Sequence, residues 1–172
     1  MNPLRGPLES AGAIVRTLQF LRTHPLASRR FPATLRRWIG WQLGSRLLQG
    51  EAIMPFVGRS RLVVRRGSSG ATGNVYAGLH EFEEMAFLLH LLRPDDLFID
   101  VGANIGSYTV LAGAVSGASV ITVEPVPETF ARLMENIRLN DLGERVSARN
   151  IGLSSRAGRL RFTTGLDAAN HA

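Results

Sequence analysis

Two acidic residues and a pair of glycines are the strongest candidates for ligand contacts. Asp100 lies in the apolar run LFIDV, residues 97–101, and Gly102 and Gly106 follow with three residues between them. Glu124 ends a second apolar run, 22 residues after Gly102. A carboxylate about 20 residues beyond a glycine turn of this kind accepts hydrogen bonds from both hydroxyls of a ribose. These positions therefore predict a site for a ribose-containing ligand.

The glycine turn differs from the fingerprint that binds a dinucleotide. That fingerprint is G-x-G-x-x-G, and its second glycine lets the backbone approach a pyrophosphate closely. Here Asn104 occupies the corresponding position, and the carboxylate of Asp100 would repel phosphates and attract a cation. A ribose-containing cation without pyrophosphate describes S-adenosylmethionine better than NAD, FAD or ATP. A Rossmann-type NAD protein is an alternative that Asn104 disfavours.

The elements around this turn predict a parallel α/β sheet. Helix and strand patterns alternate from residue 81 onward, which is typical of parallel strands joined by crossover helices. The ligand of such a sheet lies at the carboxyl ends of the strands, where Asp100 and Glu124 stand. The predicted elements are a helix over 81–92, a strand over 97–101, a helix over 106–116, a strand over 118–124, a helix from 127, and strands over 145–151 and 159–163.

The N-terminal part of the chain has a different pattern. Apolar positions at helical spacing predict helices over 10–24 and 32–50, and RLVVRR, residues 61–66, predicts a short strand. The Gly/Ser-rich stretch GSSGATGN, residues 67–74, predicts a turn or linker. We therefore place a domain boundary near residue 66.

Charge separates the same two parts. All twenty basic side chains are arginine. Residues 1–66 carry twelve arginines and two acidic residues, whereas residues 67–172 carry eight arginines and twelve acidic residues. The net charge of +6 thus comes from the arginine-rich helical segment, 1–66, and not from the cofactor-binding part, 67–172. A basic segment of this kind fits either an anionic partner or a solvated helical face.

Cysteine and histidine usage excludes several kinds of site. The chain has no cysteine, which excludes disulfides and thiolate metal sites. Its four histidines, His24, His80, His90 and His171, have no metal-ligand spacing, so we expect no metal. No apolar run reaches the ~20 residues that span a bilayer, and the N-terminus lacks the continuous apolar centre of a signal peptide. The cytoplasm is therefore the expected location.

The segments around the glycine turn resemble the FkbM family of S-adenosylmethionine-dependent methyltransferases. FIDVGANIGSYT, residues 98–109, and EPVPETF, residues 124–130, carry the resemblance, which runs from about Gly73 to the end of the chain. It implies a class I methyltransferase fold, a Rossmann-like parallel sheet with helices on both faces, of which this chain holds the first three strands. It also implies O-methylation of a hydroxyl on a sugar or secondary metabolite. The expected partner is then a small molecule and not a nucleic acid.

The resemblance also implies contacts with the cofactor, S-adenosylmethionine. The turn would hold the cofactor, Glu124 would bind the ribose hydroxyls, and free N–H groups at the start of the next helix could meet the methionine carboxylate. Glu81 matches a characteristic acid of the family, which either contacts the cofactor or caps a helix. The full set of implied contacts is Glu81, Asp100, Gly102, Asn104, Gly106, Ser107, Tyr108 and Glu124.

The sequence departs from the family in two places. Ser154 and Ser155 stand where members often have Asp or Asn near the adenine, although a serine hydroxyl can still form that hydrogen bond. The fourth strand and the acidic KIDVEG-like motif of the family do not follow residues 159–163. We therefore expect this chain to carry the cofactor-binding half of a methyltransferase and to be inactive alone.

No general base can be assigned, and a second class of function competes with catalysis. His80, just before a predicted helix, is the one candidate base, but a helix-start or surface histidine is the more common role for such a residue. The competing hypothesis is a binding module. In it, residues 10–50 form an arginine-rich amphipathic pair of helices on an anionic membrane or nucleic acid, with Trp38 and Trp41 near the interface.

Overall fold

The computed structural model describes residues 7–47, 50–65, 69–156 and 158. Its elements are, in chain order, α1 (Pro7–Thr23), α2 (Pro25–Arg29), α3 (Phe31–Leu47), β1 (Glu51–Pro55), β2 (Arg61–Arg65), α4 (Ser69–Ala77), α5 (Phe82–Leu91), β3 (Leu97–Val101), α6 (Ser107–Val110), a π-helical continuation of α6 (Leu111–Val115), β4 (Ser119–Val123), α7 (Pro127–Leu139) and β5 (Val146–Arg149). The alternation of helix and strand predicted from residue 81 onward is therefore confirmed over the described residues.

A proline and a histidine set the break between the N-terminal helices. Pro25 begins α2, where its missing N–H costs nothing. The His24 ring caps α2, because its Nδ1 accepts hydrogen bonds from the N–H groups of Leu26 and Ala27 at 3.3 and 3.2 Å. The two predicted helices are confirmed as α1 and α3, and the short α2 between them was not expected.

Both tryptophans of α3 pack against the protein. Trp38 contacts a small cluster around the fully buried Leu21, and Trp41 contacts the main core. On the outer face of α3, Leu43 is 55% exposed and Arg36 is also exposed. The tryptophans therefore contribute packing, and the outer face of the helix presents arginine and leucine to solvent.

The stretch GSSGATGN is not a linker. Most of it lies in α4, whose Ala71 and Val75 are buried in the same core as β2. Gly73 has no room for a side chain, because a Cβ at that position would overlap the His80 ring. The glycine thus permits close packing of α4 and does not mark a flexible turn.

A β-hairpin precedes α4. β1 and β2 pair antiparallel, with Ile53 opposite Val63. Leu62 and Val64 alternate with more exposed residues along β2 and are 2% and 1% exposed, so one face of the strand joins the main core. The prediction of β2 is confirmed, whereas β1 was not predicted.

The predicted site lies on a sheet of three parallel strands within the described residues. The strand order is β3–β4–β5, and Asp100 of β3 lies opposite Thr122 of β4. The crossover from β3 to β4 contains α6, and the crossover from β4 to β5 contains α7. The predicted parallel α/β architecture is confirmed, and the carboxyl ends of β3 and β4 meet at one edge of the sheet.

The described helices cover one face of this sheet. On that face, Val120 and Thr122 are 1% and 0% exposed in contact with the helical layer. On the opposite face, Leu97, Ile99 and Val101 of β3 are 56–57% exposed. The expected helices on both faces are thus seen on one face of the described part.

Two further expectations concern the ends of the fold. The predicted strand over 159–163 lies outside the described residues. Ser154 and Ser155 lie in an exposed, irregular segment after β5. In the part of the chain that the structure covers, no helix has the length and apolar character to cross a membrane.

Candidate functional site

The turn after β3 has an unusual backbone that its residue types permit. Gly102, Asn104 and Gly106 have φ angles of +72°, +53° and +89°. Glycine adopts positive φ without strain, and asparagine tolerates it better than most residues. The N–H groups of Gly102 and Ala103 both bond to the carbonyl of Val123, at 2.9 and 3.1 Å, so the turn is fixed to the end of β4.

Glu124 lies directly beside this turn. Its side chain is 6% exposed, and its two carboxylate oxygens accept hydrogen bonds from the N–H groups of Asn104 and Val126, each at 2.9 Å. A carboxylate has about four acceptor positions, so both oxygens can accept a further bond. The structure thus brings together the turn and the acid that the 22-residue spacing had singled out.

Asp100 is buried beneath the turn. It is 8% exposed, and its Oδ2 accepts a hydrogen bond from the Thr109 hydroxyl at 2.6 Å. The Thr109 hydroxyl also lies 3.1 Å from the hydroxyl of Thr122 on β4. Burial raises the pKa of Asp100 and the charge of Glu124 raises it further, although the bond from Thr109 lowers it. A cation bound at this edge of the sheet would stabilise the ionised form of Asp100.

Glu81 contacts the first turn of α6. It stands at the N-cap position of α5 but its side chain makes no capping bond. Instead, its Oε2 accepts a hydrogen bond from the Tyr108 hydroxyl at 2.7 Å. Burial raises the pKa of Tyr108, and the bond to Glu81 raises it further, so the phenol stays protonated and donates. Of the two roles expected for Glu81, the cap is not formed, and the contact with the cofactor stays a prediction.

Ser107 is linked to α4 through Asn74. The Asn74 amide donates to the Ser107 hydroxyl at 3.2 Å and accepts from the backbone N–H of His80 at 2.8 Å. Asn74 is 3% exposed, so this link is internal. It holds the N-terminal turn of α6, where free N–H groups are available for an anion.

His80 precedes α5, and its ring faces α1 and α4. Its ring packs 5.1 Å from the ring of Phe20 on α1 and touches Gly73 on α4. Burial lowers the pKa of His80, and its Nδ1 is buried without a hydrogen-bond partner. The ring thus packs between helices and is not the surface histidine that is more common at such a position.

Three residues that hold the site were not identified from the sequence. All three are buried and polar. Asn74 bonds to Ser107, Thr122 bonds to Thr109, and Asn136 bonds to the carbonyl of Ile105. Polar residues within apolar helical or strand patterns were the available signal. Their partners are 13 to 33 residues away in the sequence, so spacing alone could not pair them.

A polar cleft of about 330 Å³ lies at the opposite ends of the strands. Arg61 donates to the Leu139 carbonyl at 3.2 Å, and Arg145 donates to the Gly117 carbonyl at 2.7 Å. These arginines donate hydrogen bonds to carbonyls near helix ends. The cleft thus lies where the start of β2 meets the end of α7. Among the described residues, no group of three His, Cys, Asp or Glu is placed to hold a metal ion.

Known proteins resemble part of this chain. A tRNA(Phe) (4-demethylwyosine(37)-C(7)) aminocarboxypropyltransferase of Pyrococcus horikoshii is 36% identical over 69 residues, which cover 40% of this chain and 25% of that protein. The hexuronic acid methyltransferase AglP of Haloferax volcanii is 36% identical over 90 residues, covering 52% and 36%. The 31-O-demethyl-FK506 methyltransferase FkbM of Streptomyces tacrolimicus is 38% identical over 87 residues, covering 48% and 32%.

A family model matches residues 72–158, half of the chain, and includes the glycine turn and Glu124. Its description is the TRM5/TYW2 methyltransferase domain. The expected methyltransferase class is confirmed. The family model that matches is TRM5/TYW2, whereas FkbM is represented by one relative over 48% of the chain. The chain spans about a third or less of the length of the three relatives, with 36% as the largest share. This chain belongs to the TRM5/TYW2 methyltransferase domain family.

Proposed function

We propose that this chain provides the S-adenosylmethionine-binding part of a methyltransferase. The observation that carries the proposal is the position of Glu124. Its carboxylate bonds to the N–H of Asn104 in the turn and keeps acceptor positions for the two ribose hydroxyls. The family match supports a methyl donor as the ligand.

The charges around the turn support a cationic ligand. Asp100, Glu124 and Glu81 lie on three elements that meet at this edge of the sheet, and Asp100 and Glu124 are both buried. Two buried carboxylates oppose a pyrophosphate and favour the ammonium and sulfonium charges of S-adenosylmethionine. The same charges disfavour NAD.

The chain's own residues would bind and orient the cofactor. When bound, S-adenosylmethionine supplies an electrophilic methyl group on its sulfonium. The N-terminal turn of α6, from Ser107, offers backbone N–H groups to a carboxylate. Catalysis would then depend on holding an acceptor in line with the methyl group. None of the described residues is assigned as the base that removes the acceptor's proton.

The acceptor that we propose first is a hydroxyl of a sugar or secondary metabolite. The names of two relatives, a hexuronic acid methyltransferase and the 31-O-demethyl-FK506 methyltransferase, support this class. Both match about half of this chain. A small acceptor needs no extended basic surface.

A tRNA acceptor is the second candidate, supported by a different observation. The matching family is TRM5/TYW2, and the P. horikoshii relative is named for its action on tRNA(Phe). The expectation that nucleic acid is not a partner is therefore unsupported. The twelve arginines of residues 1–66 fit a polyanion, because each phosphate contact releases counterions.

Calorimetric titration of S-adenosylmethionine and S-adenosylhomocysteine into the 172-residue chain tests the cofactor site. We expect binding of both, no binding of NAD, and loss of binding in an Asp100→Ala, Glu124→Ala variant. An Asp95→Ala, Glu128→Ala variant is the matched control, because both residues are exposed. A folded chain that binds neither ligand, or that binds NAD equally well, would contradict the proposal.

The acceptor is tested by the fate of the cofactor. S-adenosylhomocysteine as by-product indicates methyl transfer, whereas 5′-methylthioadenosine indicates transfer of the aminocarboxypropyl group, the activity named for the P. horikoshii relative. The protein is incubated with methyl-labelled cofactor and free hexuronic acids and, in a separate reaction, with methyl-labelled cofactor and total tRNA. Label in acid-precipitated tRNA alone would favour the second candidate over the first.

A further inference from the structure

Asn136 of α7 joins the hairpin to the turn after β3. Its side chain is fully buried. Its amide oxygen accepts a hydrogen bond from the Val63 N–H of β2 at 2.7 Å, and its amide nitrogen donates to the Ile105 carbonyl at 2.8 Å. Ile105 lies between Asn104 and Gly106, which both have positive φ.

Few side chains satisfy both ends of this arrangement. The site needs one acceptor and one donor at a fixed separation, and asparagine provides both in a short, rigid group. Loss of either bond would leave a buried backbone group unpaired, which is costly. Asn136 therefore fixes the distance between the hairpin and the turn.

We propose that Asn136 is a positioning residue for the cofactor turn, an inference that rests on the proposed function. The turn is held from two sides, at two peptide groups that are separated by one other. Glu124 accepts from the Asn104 N–H, and Asn136 donates to the Ile105 carbonyl. Together they set the orientation of the backbone that enters α6. The position of the hairpin is thereby coupled to cofactor affinity.

Asn140, one helical turn further along α7, offers a matched control. It accepts from the Arg61 N–H and donates to the Arg61 carbonyl, both at 2.8 Å. It holds the same strand as Asn136, but its described hydrogen bonds go to Arg61 and to the carbonyl of Asn136 and not to the turn. A general weakening of the hairpin should therefore follow from either substitution, whereas a loss of turn geometry should follow from Asn136 alone.

The test compares Asn136→Asp with Asn140→Asp in the full chain. The affinity of each variant for S-adenosylhomocysteine is measured by calorimetric titration at several values between about pH 5.5 and about pH 8. At pH 8 an ionised carboxylate still accepts from Val63 but repels the Ile105 carbonyl, so we expect affinity at least about tenfold below wild type. At lower pH the protonated group donates again, and affinity recovers. We expect Asn140→Asp to stay within about threefold, without a pH trend.

The charged groups near Asn136 are the same in wild type and in both variants. Any pH dependence of affinity that they cause therefore also appears in the wild-type titration. They are Arg61 and Arg65 on the hairpin, Glu135 on α7 and Glu124 beside the turn. Wild-type binding combined with unchanged, pH-independent affinity in Asn136→Asp would overturn the inference. Absence of wild-type binding would instead contradict the proposed function.

Hydrogen exchange of the ligand-free protein tests the positioning of the turn independently of cofactor binding. We expect faster amide exchange over residues 102–108 in Asn136→Asp than in wild type at pH 8, and no such change in Asn140→Asp. Equal exchange over 102–108 in the two variants would overturn the positioning role, whatever the cofactor result.

Discussion

The two buried carboxylates at the carboxyl ends of β3 and β4 have different surroundings. Glu124 accepts bonds from two backbone N–H groups. Asp100 accepts bonds from the hydroxyl and the backbone N–H of one residue, Thr109, and burial still raises its pKa. The negative charge of Asp100 is therefore poorly compensated in the protein alone. A site with such a charge is arranged for a cationic ligand at some expense in stability.

Replacement of Asp100 by Asn should stabilise the free protein at neutral pH. The raised pKa means that ionisation of Asp100 costs the folded state more than the unfolded state, so its favourable contribution is present at low pH and is lost as pH rises through the folded pKa. We expect Asp100→Asn to raise the Tm at pH 7, and the gain to shrink toward pH 4. Thermal unfolding at several pH values measures this.

The same substitution should weaken cofactor binding, which distinguishes a functional charge from a structural one. Asp95→Asn is the control, since Asp95 is exposed and should leave both Tm and affinity unchanged. A lower Tm at pH 7 for Asp100→Asn would show that the bond from Thr109 outweighs burial, and would contradict the argument.

At the scale of the elements, the two glycines of the turn should have separable roles. A Cβ at Gly102 would meet no atom within 4 Å, whereas a Cβ at Gly106 would lie 2.5 Å from Cδ1 of the buried Leu133 on α7. Both have positive φ, so alanine adds backbone strain of about 1–2 kcal/mol at either position. At Gly106 overpacking adds roughly 1–3 kcal/mol more.

We therefore expect Gly106→Ala to lower the free energy of unfolding more than Gly102→Ala does, measured by urea denaturation. Gly102→Ala should instead act mainly on cofactor affinity, because the open space above its Cα is where a ligand would approach. Equal destabilisation by the two substitutions, or an unchanged affinity in Gly102→Ala, would contradict this division.

The elements around the turn could be predicted because their patterns are local. LFIDV and ASVITVE are apolar runs bounded by polar residues, and the helices between them have clear spacing. α4 could not be predicted, because Gly70 and Gly73 indicate a turn when read locally. Only the His80 ring against Gly73 shows why glycine is needed inside a helix. β1 was missed because its pairing with β2 is its main support.

The candidate site was predictable to a similar degree. Asp100 and Glu124 follow from the position of strand ends and from a fixed spacing. Asn136 and Thr122 act through partners on other elements, and such pairs depend on how the helix lies on the sheet. Their roles became visible only with the tertiary structure.

Across the whole molecule, a hydrogen bond of His24 and the packing of Trp41 are among the contacts that join the N-terminal helices to the rest. The His24 Nδ1 accepts bonds in the cap of α2, so its proton is on Nε2, which donates to the Leu79 carbonyl at 2.6 Å. Trp41 of α3 packs against the main core, which also contains Leu62 of β2. The division of the chain near residue 66 stays a prediction, and these contacts argue for joint unfolding of its two parts.

The two tryptophans make this testable, because both lie in α3 and their fluorescence changes when that helix unfolds or leaves the core. We expect urea unfolding followed by tryptophan fluorescence to coincide with unfolding followed by far-ultraviolet circular dichroism, as a cooperative unit requires. His24→Ala should shift both curves together by about 2–4 kcal/mol, because it removes a cap and leaves a buried carbonyl unpaired.

Thr23→Ala is the control for the His24 substitution. The Thr23 hydroxyl is exposed, and its described hydrogen bonds lie within α1, to carbonyls three and four residues earlier. Its loss should change either curve by less than about 0.5 kcal/mol. If the fluorescence curve preceded the dichroism curve, and His24→Ala shifted the fluorescence curve alone, the N-terminal helices would be a separately folding unit. The arginines of residues 1–66 would then belong to a module attached to the methyltransferase domain, and a binding role for that module would gain support.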